Sequence, residues 1–228
     1  MKYSAIIPAG GTSSRYGGGN KLFRPLGGKP VFLYAVEQFL PFTGEKFLVI
    51  PVHKDEMNRM KDLLEQYIPG TDISLVPGGS DRTRSVLNAL EAMPEGAELT
   101  AVHDAARPLI GQKTIRAVYE AAELHSAAAA AGKIVNTLKL CDENGLLTAG
   151  GLDRERMREI ETPQTFRTEL LMTALRKTVE KGLSFTDDTA AVEYFCGIRA
   201  VPVQPEEINL KITRYSDHAL AEALLQLR

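Results

Sequence analysis

The chain has no tryptophan, only two cysteines and no apolar run of membrane-spanning length. Cys141 and Cys196 form neither a CxxC pair nor a metal-ligand spacing, which favours two free thiols in a reducing compartment. The net charge is −2, so no general basic field supports a nucleic-acid partner. No apolar leader stands between Met1 and the first strand-like segment. We therefore expect a cytoplasmic protein that binds neither membranes nor nucleic acid.

The 228 residues are 44% hydrophobic and 25% charged, an ordinary globular composition that fits one substantial core. Strand-like and helix-like segments alternate, which predicts an α/β fold with a mostly parallel sheet flanked by helices. The predicted strands span 3–7, 46–52, 72–76, 99–103, 198–203 and 210–212. The predicted helices span 30–40, 54–67, 112–124 and 168–181, with others capped at Ser80 or Asp81, at 186–188 and at Ser216. The alanine run 127–131 could extend a helix or form a tightly packed strand, and we prefer the strand.

A glycine-rich loop follows the first predicted strand and contains Arg15 and Lys21. Glycines let backbone N–H groups approach an anion closely, and the two cations add full positive charge. A loop at the carboxyl end of a strand lies where open α/β folds bind ligands. It is not a Walker loop, because Leu22 follows Lys21, and no Gly-x-Gly-x-x-Gly opens a helix there. Taken alone, the loop fits either a nucleotide triphosphate cradle or an ordinary surface loop.

Two other polar segments follow predicted strands. Gly79 precedes a helix N-terminus, and the hydroxyls of Ser80 and Ser85 could bind the edge of a base, although a turn with an N-cap explains them almost as well. Asp104 could hold Mg²⁺ or a ribose hydroxyl. Arg107 could serve the same ligand or simply form an ion pair with Asp104.

Residues 133–161 interrupt the alternation with polar sequence and a hairpin signal at 142–145. We predict a β-arm that leaves the main sheet and packs on a second subunit, because two strands alone are marginally stable in water. Thr137 and Arg154 lie in this arm and could grip a phosphate monoester, although arm arginines are usually solvated. Lys211 fits either a phosphate-facing role or a solvated lysine on an edge strand.

The candidate residues are cations, one acid and glycine loops at separate strand ends. They include no Ser-His-Asp triad, no paired carboxylates of the glycosidase kind and no Cys/His metal cluster. His103 is interpreted as a packed residue at a strand end rather than a catalyst. This set of residues is typical of enzymes that transfer phosphoryl or nucleotidyl groups, in which positioning of the substrates and neutralisation of their charge supply most of the rate enhancement.

Several blocks occur in an order that is typical of one family. They are Pro8-Ala9-Gly10-Gly11 with Arg15, Lys21 and Gly28-Lys29-Pro30; Gly78-Gly79 with Arg82 and Ser85-Val86; Val102 to Pro108; Asp153-Arg154; Thr162 to Phe166; Thr186 to Asp188; and Asn209 to Thr213. Over essentially its whole length the sequence resembles the 2-C-methyl-D-erythritol 4-phosphate cytidylyltransferases of the non-mevalonate isoprenoid pathway. The first block is shared by many sugar nucleotidyltransferases, whereas 102–108, 162–166 and 209–213 are more specific.

The resemblance implies a single domain over residues 1–228 with a Rossmann-like nucleotidyltransferase fold, and a homodimer that interlocks through arms at about 133–161. It implies transfer from CTP to a sugar-alcohol phosphate, with Mg²⁺ and release of pyrophosphate. The implied site comprises Arg15 and Lys21 at the transition state; Pro8, Ala9, Gly10, Gly11, Gly79, Ser80, Ser85, Asp104 and Arg107 around the nucleotide, with Asp104 also at the metal; and Thr137, Arg154 and Lys211 around the acceptor phosphate.

The sequence departs from the family pattern at four places. Gly10 stands where the family usually has alanine, Leu22 where it has glutamine, and Asn136 where it has aspartate, while an aromatic expected near 157–158 is missing. The arm changes bear on the acceptor, and ribitol-5-phosphate cytidylyltransferases are similar over the same blocks. A non-catalytic nucleotide-binding regulator is the alternative from another class, although the complete set of Arg15, Lys21 and Asp104 favours an enzyme.

Overall fold

The computed structural model describes residues 2–11, 16, 17, 19–44 and 46–227. Its strands are β1 (Tyr3–Ile6), β2 (Pro25–Leu26), β3 (Lys29–Pro30), β4 (Leu48–Val52), β5 (Ile73–Pro77), β6 (Leu99–Val102), β7 (Ala127–Lys133), β8 (Lys139–Cys141), β9 (Leu147–Gly151), β10 (Arg158–Arg167) and β11 (Val201–Val203). Its α-helices are α1 (Val31–Phe39), α2 (Met57–Tyr67), α3 (Arg82–Ala92), α4 (Gln112–His125), α5 (Thr168–Glu180), α6 (Asp188–Cys196) and α7 (Tyr215–Leu225). None of the described helices is long and apolar enough to cross a membrane.

The main sheet has seven strands in the order β11-β7-β10-β6-β1-β4-β5. β10 is antiparallel to both of its neighbours, and the other strands share one direction. The mostly parallel α/β sheet predicted from the sequence is therefore confirmed. Because β6, β1, β4 and β5 are adjacent and parallel, the loops that follow β1, β5 and β6 meet at one edge of the sheet.

Two cores lie on opposite faces of the sheet. Ala5 of β1 packs in the core formed with α1, α2 and α4, whereas Ile6, its neighbour, packs in the core formed with α3, α5 and α6. This alternation follows from the two-residue period of a strand. The alanine run forms the buried part of β7, which confirms the strand interpretation, and its methyl groups contribute to both cores.

Two predictions near the C-terminus were wrong: the strand at 210–212 and the residue at which the last helix begins. Residues 210–212 form no strand, because Ile212 packs in a third small core against α7 and its N–H donates to a loop carbonyl at 2.8 Å. The apolar pattern there reflects burial under a helix, not sheet pairing. The last helix begins at Tyr215, before Ser216, because the Asp217 carboxylate accepts the N–H groups of the two residues that precede the helix, Thr213 and Arg214.

The segment between the main-sheet strands β7 and β10, where the sequence predicts the arm, forms a β-hairpin. The pairing of β7 with β10 ends at Lys133 and Arg158. Beyond that pair, β8 and β9 form a separate two-stranded sheet. The hairpin turn lies where it was predicted, with the Asp142 carboxylate accepting the N–H of Asn144 at 2.9 Å. Several apolar side chains of the arm are exposed in the single chain: Val135, Leu140, Leu146, Leu147 and Leu152.

Candidate active site

A cleft of ≈ 430 Å³ opens where the loops after β1, β5 and β6 meet. Nine of the residues that the sequence indicated line it: Pro8, Gly10, Gly11, Lys21, Gly79, Ser80, Ser85, Asp104 and Lys211. They come from four separated parts of the chain. The parallel strand order brings these parts together, because each loop leaves the same edge of the sheet.

One wall of the cleft is the turn between β5 and α3. The Asp81 carboxylate accepts the Arg84 N–H at 2.8 Å and caps α3. The Ser85 hydroxyl donates to the Asp81 carbonyl at 2.8 Å and accepts the Gly79 N–H at 3.0 Å. The proton of Ser85 is therefore used inside the turn, and a ligand that binds this hydroxyl would meet its remaining lone pair.

We expect Gly79→Ala to destabilise the fold and Gly10→Ala to leave it nearly unchanged. A Cβ on Gly79 would lie 2.9 Å from the carbonyl carbon of Arg84, whereas one on Gly10 would lie 3.8 Å from the Ser85 hydroxyl oxygen, an ordinary contact. Overpacking of this kind costs about 1–3 kcal/mol. Urea denaturation of both variants measures the difference, and equal free energies of unfolding would contradict it.

Asp104 is the acidic group at the centre of the cleft. The Lys211 Nζ lies 2.6 Å from Oδ2, the Arg107 Nε 3.8 Å from Oδ2, and the Arg82 Nε 3.7 Å from Oδ1. Burial alone would raise the pKa of Asp104, but the charges of Lys211, Arg82 and Arg107 outweigh it and hold that pKa well below the usual range. The carboxylate is therefore ionised at neutral pH.

Two residues predicted around the nucleotide lie behind the cleft instead of lining it. Arg107 is buried, its Nη1 donates to the Asn209 carbonyl at 2.6 Å, and it lies 3.7 Å from the Glu161 carboxylate. Ala9 is also buried, and its N–H donates to the Pro51 carbonyl at 2.8 Å. Arg107 holds the segment that carries Lys211, and Ala9 holds the opening loop beside β4.

His103 is fully buried at the end of β6, as the sequence predicted. Its Nε2 lies 3.3 Å from the Arg107 carbonyl, and its Nδ1 lies 3.1 Å from the Thr162 hydroxyl, which accepts the Asp104 N–H at 3.0 Å. The Arg107 carbonyl can only accept, so these contacts assign the proton to Nε2, and the Thr162 hydroxyl donates to Nδ1. The imidazole thus fixes the turn that presents Asp104. Burial is the main cause that lowers the pKa of His103 to about 4.

We expect the metal-free protein to lose stability as the pH falls from 6.5 towards 4. The unfolded chain protonates His103 near the ordinary pKa of 6.5, whereas the folded chain resists protonation until about 4. The lowered pKa is worth on the order of 3 kcal/mol, fully lost below the folded value. Urea denaturation at several pH values measures this slope. His103→Gln, which keeps a neutral hydrogen-bonding group, should give a flatter curve, and parallel curves would contradict the assignment.

Lys21 links the opening loop to the C-terminal segment. It begins a single 3-10 turn, in which the Asn20 side chain accepts the Leu22 N–H at 3.1 Å. Its Nζ donates to the Ile212 carbonyl at 2.6 Å. Lys21 and Lys211 therefore stand at neighbouring points of the same cleft. Arg15, its predicted partner at the transition state, lies outside the described residues.

The arm residues lie away from the cleft of their own chain. Thr137 and Arg154 are both exposed, and the Arg154 Nη1 donates to the Val135 carbonyl at 2.8 Å. Neither residue lines the cleft described above. If they contact the acceptor, they must do so in another subunit.

Arg82 lines the cleft and was not assigned a role from the sequence. It is the first residue of α3, where the positive end of the helix dipole disfavours a cation. An arginine at this unfavourable end of a helix is the sequence signal that could have identified Arg82 as a candidate site residue.

Over the described ranges 2–11, 16, 17, 19–44 and 46–227, no three His, Cys, Asp or Glu side chains form a group that could hold a metal ion. Asp104 and Asp81 are the two carboxylates among the described residues that line the cleft, and only Asp104 is largely shielded from solvent. Mg²⁺ commonly takes one or two carboxylates and completes its shell with water and substrate phosphates. The donor set therefore fits a magnesium ion that is bound together with a nucleotide, not a permanent protein cage.

Fold and cleft together define the class of this protein as a Rossmann-like nucleotidyltransferase. The sequence model of the 2-C-methyl-D-erythritol 4-phosphate cytidylyltransferase (IspD) family matches residues 3–227 of this chain. The chain therefore belongs to this family.

Individual relatives agree with the family assignment. The chain is 33% identical to the 2-C-methyl-D-erythritol 4-phosphate cytidylyltransferase of Caldanaerobacter subterraneus subsp. tengcongensis, over 99% of this chain and 100% of that protein. It is 37% identical to the protein of the same name from Endomicrobium trichonymphae, with the same coverage. The crystal structure of 4-diphosphocytidyl-2C-methyl-D-erythritol synthase from Anaerococcus prevotii superposes with a TM-score of 0.86 at 28% identity, over 99% of both chains.

Proposed function

We propose that this chain transfers the cytidylyl group of CTP to the phosphate of 2-C-methyl-D-erythritol 4-phosphate, in isoprenoid precursor biosynthesis. The products are 4-diphosphocytidyl-2-C-methyl-D-erythritol and pyrophosphate. The observation that carries the proposal is the cleft itself, which gathers Lys21, Asp104 and Lys211 beside two glycine turns in a member of the cytidylyltransferase family.

The chemistry requires two anions to meet. An acceptor phosphate oxygen attacks the α-phosphorus of CTP, the bond from that phosphorus to the bridging oxygen breaks, and pyrophosphate leaves with the electron pair. The acceptor phosphate is already an anion at neutral pH, so no general base is needed. We assign Lys21, together with Arg15, to offset the repulsion between the substrates and the charge that grows in the transition state.

We assign the nucleotide to the two glycine-rich turns. Gly10 and Gly11 follow β1, Gly79 and Ser80 follow β5, and all four residues line the same cleft. The Gly79 N–H is already donated to the Ser85 hydroxyl, so the donors that we assign to the nucleotide are those of the other three residues. Backbone donors in such turns suit phosphate and the edge of a base. Ala9 supports the first of these turns from behind, and Arg107 supports the segment that carries Lys211, so both have narrower roles than the sequence suggested.

Magnesium fits the proposal through Asp104. A bound ion would neutralise phosphate charge, and Asp104 would hold it with one ionised oxygen. Lys211 now occupies Oδ2 at 2.6 Å, so Oδ1 is the oxygen less engaged by the protein. We assign Asp104 to the nucleotide end of the cleft, where its Oδ1 binds either the ion or a ribose hydroxyl.

We propose a homodimer formed through the arm, in which Thr137 and Arg154 complete the cleft of the partner subunit. Two strands with exposed apolar side chains, such as Leu140 in β8 and Leu147 in β9, are typical of a segment that packs on another chain. The two cysteines are free thiols, which fits our proposal that the protein works in a reducing cytoplasm.

We expect Lys211→Ala to raise the KM for the acceptor phosphate by about tenfold, with a smaller effect on the KM for CTP, because one cation at the acceptor end is lost. Steady-state kinetics with each substrate varied in turn measure both constants. Lys113→Ala, which removes an exposed lysine that does not line the cleft, is the control. Loss of CTP binding instead would contradict the assignment of Lys211 to the acceptor.

Pyrophosphate release from CTP tests the proposed function. We expect release with 2-C-methyl-D-erythritol 4-phosphate and little with CTP alone. Release only with ribitol 5-phosphate or another sugar phosphate would move the protein to a different cytidylyltransferase. No release with any acceptor, despite CTP binding, would favour a non-catalytic nucleotide-binding regulator.

A further inference from the structure

Two sequence blocks are left without a role in the proposed function: Thr162 to Gln164, and Thr186 to Asp188. The structure joins them to the cleft through a buried network. Asp188 is 2% exposed at the start of α6, and its N–H donates to the Gln164 side-chain oxygen at 3.0 Å. Gln164 is itself buried in β10. The Asp188 carboxylate is therefore held in one place by a helix start and by the main sheet.

The partner of this carboxylate is Arg82. A single guanidinium nitrogen, Nη1, donates to both oxygens of Asp188, each at 2.8 Å. The Asp188 carboxylate is buried whereas the Arg82 side chain is partly exposed, and an ion pair with a buried member is a poor source of stability because the buried charge loses its water. The position in which the pair holds the guanidinium is therefore its more informative feature.

Arg82 also lines the cleft. Its Nε lies 3.7 Å from Asp104 Oδ1, beyond hydrogen-bond distance, and no described residue accepts a hydrogen bond from Nε or Nη2. Arginine presents its donors in a rigid planar fork, so fixing one nitrogen fixes the direction of the others. One edge of Arg82 is anchored in the core, and the other is open to the site where anionic substrates bind.

We propose that Asp188 positions Arg82 so that the open edge of its guanidinium binds a phosphate oxygen in the cleft. Asp188 is a positioning residue, and Arg82 is the group that meets the ligand. The phosphate belongs either to the nucleotide or to the acceptor, since Arg82 lies between the turn after β5 and Asp104. This inference rests on the proposed function and adds one substrate contact that comes from the chain's own core.

The experiment compares two adjacent aspartates. Asp188→Asn removes the charge that anchors Arg82. Asp187→Asn removes a charge from the same helix start but preserves a side-chain oxygen for the capping contact to Ala190. We expect Asp188→Asn to weaken binding of one phosphate substrate about tenfold, and Asp187→Asn to have little effect. Calorimetry with CTP alone, and with 2-C-methyl-D-erythritol 4-phosphate in the presence of a CTP analogue whose α–β bridge cannot be cleaved, identifies which phosphate is contacted.

A double-mutant cycle separates positioning from general damage. If Asp188 acts through Arg82, adding Asp188→Asn to Arg82→Gln should cause no further loss of affinity or of kcat/KM. Arg82→Lys, which keeps the charge without the fork, should recover part of the loss.

The proposal is overturned if Asp188→Asn lowers only the melting temperature and leaves the dissociation constants, kcat and both KM values unchanged, or if the losses of the two substitutions multiply. Failure of the proposed function would look different. The unmodified chain would then release no pyrophosphate with any acceptor. Calorimetry with CTP on the same variants would still test whether Arg82 contacts the nucleotide.

Discussion

Lys21→Ala should lower kcat by at least ~100-fold, which corresponds to about 3 kcal/mol in the barrier. Lys21 lines the cleft, and we assign its ammonium group to the charge that develops as pyrophosphate leaves. A preformed cation lowers the barrier strongly because its orientation costs nothing at the moment of reaction. The loss should appear in kcat, since the charge is needed more in the transition state than in the bound substrates.

The same substitution also removes a hydrogen bond, so the measurement must separate catalysis from folding. The Lys21 Nζ donates to the Ile212 carbonyl, and its loss could loosen the C-terminal segment. kcat should therefore be expressed per folded molecule, with the free energy of unfolding measured on the same sample. Lys113→Ala provides a surface control. A near-normal kcat for Lys21→Ala would remove the role that we assign to this residue.

Arg154→Ala should raise the KM for the acceptor phosphate by roughly 10- to 100-fold, the range expected when a charge-assisted hydrogen bond is lost. Arg154 lies in the exposed arm and contributes nothing to the cleft of its own chain. The effect should therefore arise in the partner subunit. The KM for CTP should change little, because the nucleotide turns belong to the other chain.

Mixed dimers test this arrangement directly. A heterodimer of one Lys21→Ala chain and one Arg154→Ala chain contains one cleft with both defects and one with neither, provided that each arm completes the other subunit's site. The purified heterodimer should then recover about half of the activity of the unmodified dimer, as expected for a two-fold assembly with one intact site. If each arm served its own cleft, both sites would be defective and no activity would return. A monomeric protein at assay concentration would also contradict the proposal.

Local sequence signals predicted much of the fold. The apolar segments at 3–7 and 99–103 become β1 and β6, the Asp81 cap starts α3, and the alanine run becomes β7. These features depend on near neighbours in the chain, on period-two burial and on capping chemistry. The placement of His103 as a packed residue succeeded for the same reason, because it directly follows a buried strand.

Contacts between distant segments could not be predicted in the same way. Arg82 and Asp188 are 106 residues apart, and only the folded sheet places the start of α6 beside the start of α3. The apolar pattern at 210–212 gave the wrong structure, because it arises from packing under α7. Arg107 was correctly suspected of an ion pair with Asp104, but its second anchor, the Asn209 carbonyl, lies 102 residues away.

A competition between two acceptors tests the central claim most directly. The protein is incubated with CTP, Mg²⁺ and equal concentrations of 2-C-methyl-D-erythritol 4-phosphate and ribitol 5-phosphate, and the nucleotide products are identified by mass spectrometry at low conversion. We predict that 4-diphosphocytidyl-2-C-methyl-D-erythritol is the dominant product, with pyrophosphate formed in equal amount. A dominant ribitol product, or no nucleotide product at all, would contradict the assignment of the cleft to cytidylyl transfer onto methylerythritol phosphate.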